Sequence, residues 1–211
     1  IWGIGLGHLT AFGAFGISPE RKVERFEEGV QLVKKLLMED PVTFNGKFWS
    51  MENFSTNVRP FQKPRPPIWF GGLAPGALRR AVKLGDGWMG AGYSPITKFR
   101  EQVNLIRQYL EESGRDPSTF SLSKRVYIAV EKDRRTAYAG LERFFNDIYG
   151  KSSIARVTGV KSSTTDATVY GSPEECVEKL ASIAAEGLDM ILLNPTYNTL
   201  EQMERLSKDV I

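Results

Sequence analysis

The segment from Ile68 to Trp88 reads IWFGGLAPGALRRAVKLGDGW. An apolar run, Pro67 to Phe70, ends in two glycines. Leu78 to Leu84 follows with helical periodicity, and Gly87 to Ala91 is apolar again. Strand, helix and strand in so short a span make a βαβ unit, which implies parallel strands joined by a right-handed crossover. The glycines between the first strand and the helix admit two readings. The N–H groups of a helix's first turn have no internal partner, and the helix dipole is positive there. Gly71, Gly72 and Gly76 would let Leu73, Ala74 and Ala77 aim amides at a phosphate, with Arg79 or Arg80 adding charge. The plainer reading is that glycines let a strand turn sharply into a helix. A short glycine-rich turn without a P-loop lysine favours that reading on spacing alone.

Upstream, IWGIGLG is a glycine-spaced apolar strand that runs into a loop from His8 to Ile17. Ser18-Pro19 supplies an N-cap hydroxyl and a proline for a helix's first position. Val23, Phe26, Val30, Val33 and Leu37 then recur at helical spacing as far as Asp40-Pro41. Asn45-Gly46 among aromatics predicts a small hairpin, and RPFQKPRPP a proline-stiffened approach to the next strand. Downstream, Ile96 to Leu110 is an amphipathic helix closed by Ser113-Gly114. Leu122, Val126, Ile128 and Val130 alternate as in a strand. Ala137, Leu141, Phe144 and Phe145 mark another helix. Lys151 to Tyr170, rich in Ser and Thr, reads as a mobile loop. Ser172-Pro173-Glu174-Glu175 is a capping box opening a helix to Gly187. MILLNP is the last strand, and Leu200 to Ile211 the last helix.

Of the 211 residues, 41% are hydrophobic and 25% charged, enough for a substantial core. The lone Cys176 excludes an internal disulfide and a cysteine-based zinc cluster, and a reducing cytoplasm is the expected setting. No apolar run is long enough to span a bilayer. The net charge of +3 is spread without a dense basic block, so a membrane or nucleic-acid partner is not expected.

Five β-then-α units in series imply a parallel sheet. Five strands cannot close an eight-stranded barrel, and an open doubly wound sheet fits the count. The chain opens without methionine in the middle of a strand, however. That start predicts further residues upstream, and the last five units of a barrel. Among candidate site residues, His8 follows the GIGLG strand at what would be the barrel mouth. It is a proton donor, a cofactor contact or a structural histidine. Trp69 and Trp88 border the glycine turn as core residues or as walls for a flat ring. Cys176 reads as buried filler. Asp86 and Asp189 each precede a strand without forming an acid/base dyad, and no metal-ligand cluster is visible.

Taken in order, GIGLGH, the Ser-Pro-Glu-Arg helix, VTFNGKFW, RPPIWFGGLAPGALRRAVKLGDGW and GSPEECVEKLASIAAEGLDMILLNP resemble the bacterial luciferase-like monooxygenase family. That family comprises flavin- and deazaflavin-dependent TIM barrels. The resemblance implies a single domain over 1–211, holding strands 4 to 8 of a (β/α)8 barrel. It implies a flavin phosphate held by Gly72, Leu73, Ala74, Pro75, Gly76 and Ala77, with Arg79 close by, and Trp69 and Gly71 along the wall of the flavin pocket. Gly7 and His8 would line the flavin and substrate pocket, with His8 the candidate catalytic residue. The implied cofactor is reduced FMN used with oxygen, or an 8-hydroxy-5-deazaflavin used for hydride transfer, acting on a small organic substrate. A separate flavin reductase would supply reduced FMN. The family's first three strands, with their acid/base residue, have no counterpart here. Their lack would expose two sheet edges and favour a homodimer. The alternative is a non-catalytic flavin-binding protein on a reduced, dimerised barrel.

Overall fold

The computed structural model describes residues 1–7, 9–149 and 164–211. They form two compact units, Ile1–Trp88 and Met89–Ile211. His8 and residues 150–163 lie outside the described residues.

In the first unit, strand β1 (Trp2–Ile4) pairs in parallel with β4 (Ile68–Phe70), Gly3 opposite Trp69 and Ile4 opposite Phe70. Strand β4 pairs in parallel with β5 (Gly87–Gly90), Phe70 opposite Trp88. Helix α3 (Pro75–Leu84) is the crossover and buries Leu78, Ala81, Val82 and Leu84. Helix α2 (Lys22–Met38) sets Phe26 edge-on against Phe70, with ring centroids 5.9 Å apart. Trp2, Ile4 and Leu6 line a groove with Phe26, Val30 and Val33 of α2. Because side chains alternate along a strand, Gly3, opposite Trp69, lies on the other face of β1 from Trp2 and Ile4.

The hairpin is β2 (Val42–Asn45) against β3 (Ser50–Phe54). Glu28 of α2 fixes its turn, accepting the N–H groups of Lys47, Phe48 and Trp49 at 2.9, 2.8 and 3.0 Å. Burial alone would raise the Glu28 pKa. Those three amides and the nearby Lys47 charge bring it below the usual carboxylate value instead.

The second unit is organised by β6 (Ser121–Val130). It pairs in parallel with β8 (Met190–Pro195) along Ser123 to Ile128, and with β7 (Thr168–Gly171) along Tyr127 to Val130. Its alternation feeds two cores. Val126, Ile128 and Val130 pack with Val169, with Ile96 of α4 (Ile96–Glu112) and with Cys176 and Ile183 of α7 (Pro173–Ala184). Tyr127 and Ala129 pack with Tyr170 and with Ala137, Leu141 and Phe145 of α5 (Arg134–Tyr149). Both faces of β6 are therefore covered by helices.

Three expectations are corrected. Ser18 does not cap α2, whose first residue is Lys22. The Ser18 hydroxyl accepts the Glu20 N–H at 3.2 Å, and the Lys22 N–H bonds the Pro19 carbonyl, so Ser-Pro-Glu-Arg forms a turn before the helix. Leu9–Ala14 is a short helix, α1, within the stretch read as a loop. Thr164–Ala167 (α6) and Thr168–Gly171 (β7) are ordered elements inside the stretch read as mobile. Four residues are too few to show periodicity, and β7 is fixed by pairing with the distant β6. The capping box holds: the Ser172 N–H donates to Glu175 at 2.9 Å, and the Glu175 N–H to the Ser172 hydroxyl at 3.4 Å. Among the described residues, no helix is long and apolar enough to cross a membrane.

Candidate cofactor site

The site begins where β4 ends. All three residues of β4 are buried. The Gly71 N–H then donates to the Ile4 carbonyl at 2.8 Å and continues the pairing with β1 for one more step. At Gly72 the chain turns, with φ +118°, where only glycine rests without strain. A Cβ there would come within 2.7 Å of the Ala77 Cβ. Trp88, fully buried on β5, donates its indole N–H to the Gly72 carbonyl at 2.8 Å. The turn is thus locked from below by a side chain on the neighbouring strand.

Ala74 is the N-cap of α3 in extended conformation and offers no side-chain cap. Pro75 stands at the first helical position, where its missing N–H costs nothing. The Ala77 and Leu78 N–H groups both bond the Ala74 carbonyl, at 2.8 and 3.1 Å. The Gly71 and Ala77 amides are therefore used within the protein. Those of Gly72, Ala74 and Gly76 have no acceptor among the described residues. Leu73 is half-buried between them. Three N–H groups with the positive end of α3 form a fitting place for a phosphate. Arg79 is exposed on α3. Arg80 instead pairs with Glu27 of α2 at 3.0 Å and lies 6.0 Å over the Phe26 ring.

Beside this turn, the glycines of β1 and of the segment that follows it are bare. A Cβ added at Gly3 or Gly5 would meet nothing within 4 Å, and one at Gly7 only the Phe12 ring at 3.6 Å. A side-chain-free strip next to an amide-lined helix start fits a planar ring that carries a phosphate tail.

The opposite end of β4 is clamped. The Ile68 N–H donates to Asp86 at 2.7 Å, the Asp86 N–H to the Ile68 carbonyl at 2.7 Å, and Arg65 grips the same carboxylate at 2.5 and 3.1 Å. Burial works to raise the Asp86 pKa. The bonds from Arg65 and Ile68, with the Arg65 charge, outweigh it and hold the carboxyl below its usual value. Asp189 repeats the device in the second unit. The Leu122 N–H donates to its carboxylate at 2.8 Å, and its own N–H to the Leu122 carbonyl at 2.9 Å.

Sequence reading missed Lys124. This lysine is fully buried on β6, with Nζ donating to the Ala91 and Ser94 carbonyls at 3.1 Å each and lying 4.9 Å from the Phe99 ring centre. Burial, with the adjacent Arg125 charge, lowers its pKa to about 8. The signal was there: Lys124 shares the inward register of Leu122, Val126 and Ile128. Cys176 is buried as expected, and burial pushes its thiol up to about 12.

The family model described as luciferase-like monooxygenase matches residues 1–190. The F420-dependent glucose-6-phosphate dehydrogenase of Kineococcus radiotolerans is 28% identical over 137 residues, covering 63% of this chain and 40% of its own length. The FMNH(2)-dependent dimethylsulfone monooxygenase of Pseudomonas putida is 22% identical, covering 88% and 57%. The 5,10-methylenetetrahydromethanopterin reductase of Archaeoglobus fulgidus is 23% identical, covering 91% and 66%. The chain thus spans less than two thirds of the length of these relatives. Among solved structures, an F420-dependent secondary alcohol dehydrogenase superposes with a TM-score of 0.79 at 16% identity, over 99% of this chain and 68% of that one. The monooxygenase RslO1 of Streptomyces bottropensis gives 0.75 at 22% identity, over 98% and 66%. At such identities these structures speak to the fold alone. With the family match running through both units, the chain belongs to the luciferase-like monooxygenase family.

Proposed function

We propose that this chain carries the phosphate-binding side of a flavin-dependent oxidoreductase, and that its cofactor is reduced FMN or a deazaflavin. The carrying observation is the Gly72 turn: positive φ, no space for a Cβ, a carbonyl held by Trp88, and amides of Gly72, Ala74 and Gly76 at the start of α3. Gly3, Gly5 and Gly7 would receive the ring, and Trp69 would stand beside it. These positions correspond to strands 4 and 5 of a (β/α)8 barrel. Relatives named for F420 and for FMNH(2) support both cofactor types.

When bound, the cofactor supplies electrons for oxygen activation or a hydride for transfer to a small organic substrate. The chain's own part is to orient it. The α3 amides of Gly72, Ala74 and Gly76 would hold the phosphate, and Gly3, Gly5 and Gly7 would leave room for the ring. Titrating FMN and 8-hydroxy-5-deazaflavin separately, with fluorescence readout, tests the reading. Micromolar binding of one of them, weakened by substitution at Gly72, is expected. Binding that is absent for both overturns it.

The second reading is a non-catalytic flavin-binding protein that dimerises. Flavin binding without turnover, together with a dimer by light scattering, would select it.

A further inference from the structure

In the second unit, the chain that follows β8 is stitched to the end of β6. The Thr196 N–H donates to the Ile128 carbonyl at 3.3 Å. From α8 (Thr199–Arg205), the fully buried Gln202 accepts the Val130 N–H at 2.8 Å and donates to the Val130 carbonyl at 3.0 Å. Arg205 donates to that carbonyl at 2.8 Å and also pairs with Glu131, the residue after β6. The Tyr197 hydroxyl donates to the same carboxylate at 3.3 Å. Tyr197 is thereby held against α5, where a Cβ at Gly140 would come within 2.2 Å of its ring. Glycine inside a helix costs about 1 kcal/mol relative to alanine, so α5 gives up stability to admit this ring.

A cavity of about 450 Å³ opens beside the ring, its wall including Glu131, Thr136, Phe144, Thr196 and Tyr197. It stands at the carboxyl ends of the parallel strands β6 and β8, where sheets of this kind bind ligands, and its volume is that of a small-molecule site.

Three hydroxyls in the wall have committed their protons to the protein. Thr136 donates to Asp133 at 2.9 Å, Thr196 to the Ile128 carbonyl at 3.4 Å, and Tyr197 to Glu131. Carboxylates and carbonyls only accept, so the direction of each bond is fixed. What these hydroxyls keep for a ligand is lone pairs. Burial, and then the Glu131 charge, raise the Tyr197 pKa to about 12, so the phenol retains its proton at neutral pH. Glu131 adds acceptor capacity while Arg205 balances its charge. Arg143 and Asp147, one turn apart on α5, bring one charge of each sign to the lining. The wall is therefore rich in acceptors and balanced in charge. It suits a neutral molecule that donates a proton, whereas a carboxylate would set its own lone pairs against those of the wall.

We infer that this cavity binds a small neutral alcohol, the Tyr197 oxygen accepting its hydroxyl proton and Phe144 flanking its apolar body. That this alcohol is the substrate rests on the oxidoreductase reading; the site itself does not.

The test titrates the full chain with benzyl alcohol, benzyl methyl ether and benzoate. The ether keeps the ring and the oxygen but has no proton to donate. Tyr197 ring resonances in tyrosine-labelled protein locate the ligand, and ligand-observed NMR gives the affinities for wild type and variants. The expected result is a saturable response to the alcohol, with the ether and benzoate each weaker by about fivefold or more, the loss of one hydrogen bond. Tyr197→Phe should weaken the alcohol by about fivefold and leave the ether unchanged, which a merely structural role for the hydroxyl would not do. Gly140→Ala favours the helix but displaces the ring, and should weaken the alcohol without loss of folded protein. No saturable response to the alcohol overturns the inference. So does equal binding of alcohol and ether, or a loss on Tyr197→Phe that is the same for both. Flavin titration of the same samples keeps the two readings apart. Alcohol binding without flavin binding removes only the cofactor proposal, and flavin binding without an alcohol response removes only this one.

Discussion

Lys124 gives the sharpest quantitative consequence of the structure. Its pKa falls from 10.5 to about 8 on folding, chiefly through burial. Between those values the unfolded chain binds more proton than the folded one, so stability must rise with pH across that window. Below pH 8 the folded protein carries the ammonium at its full cost. Above 10.5 both states hold the neutral amine and the cost is gone. The whole interval amounts to about 3 kcal/mol, of which about 1 kcal/mol falls between pH 7 and 9. Neutral or charged, the amine still donates to the Ala91 and Ser94 carbonyls.

The perturbation is Lys124→Met, which keeps the stem and removes the titration. It leaves the two carbonyls without their donor, at a cost of about 1–3 kcal/mol each. At pH 7 that loss is partly offset because no charge is buried; at pH 9 much less of it is. The gap in stability between wild type and variant should therefore widen by about 1 kcal/mol from pH 7 to 9. Urea unfolding of both proteins at matched ionic strength measures it. Cys176 and Tyr197, both held up to about 12, oppose the trend in wild type as pH rises through their unfolded values. They are present in both proteins and cancel in the difference. Parallel stability curves for the two proteins over this range would refute the reasoning.

Three further outcomes are expected. Gly72→Ala forces a side chain to positive φ and against Ala77, so it should cost about 1–3 kcal/mol and weaken flavin binding; thermal unfolding and fluorescence titration read the two effects. Trp88→Phe keeps the ring but leaves the Gly72 carbonyl without its donor, at about 1–3 kcal/mol, with weaker flavin binding from a looser turn. In wild type the depressed Asp86 pKa means stability is fully present above the ordinary aspartate value and is lost as pH falls through the lower folded value. Asp86→Asn should therefore flatten the acid limb of the stability curve, followed by circular dichroism.

The βαβ core was legible because its signals are local. Ile68–Phe70, the glycine turn and the Leu78–Leu84 periodicity all lie within one short stretch, and the structure returns them in place. The capping box at Ser172 was equally readable, since both partners sit three residues apart. What escaped was decided by distant partners. Strand β7 exists through pairing with β6, 41 residues earlier at every register pair, as in Tyr127 with Thr168. The hairpin turn is held by Glu28 from α2, and the glycine turn by an indole sixteen residues beyond it. The phosphate cradle was legible as a place but not amide by amide. Which N–H groups remain open depends on Ile4 and Ala74 as acceptors, and spacing does not show that.

The two aspartate clamps suggest why the glycine turn tolerates so little support of its own. Asp86 ties the beginning of β4 to the approach to β5, and Asp189 ties the beginning of β6 to the approach to β8, each by a reciprocal pair of backbone-linked bonds. Strand register is thereby set at the N-terminal ends of β4 and β6. The C-terminal end of β4 is then free to carry glycines, an extended N-cap without a capping side chain, and amides left open toward a ligand. An end built that way contributes little to stability, because open amides and glycine conformations are costs in the unliganded state. The clamps and the turn should accordingly separate under mutation. Loss at Asp86 should fall mainly on stability, and loss at Gly72 on ligand affinity well beyond its share of stability. A substitution at Asp86 that weakened flavin binding as much as one at Gly72, at equal folded fraction, would show that the two ends of the strand are not independent in this way.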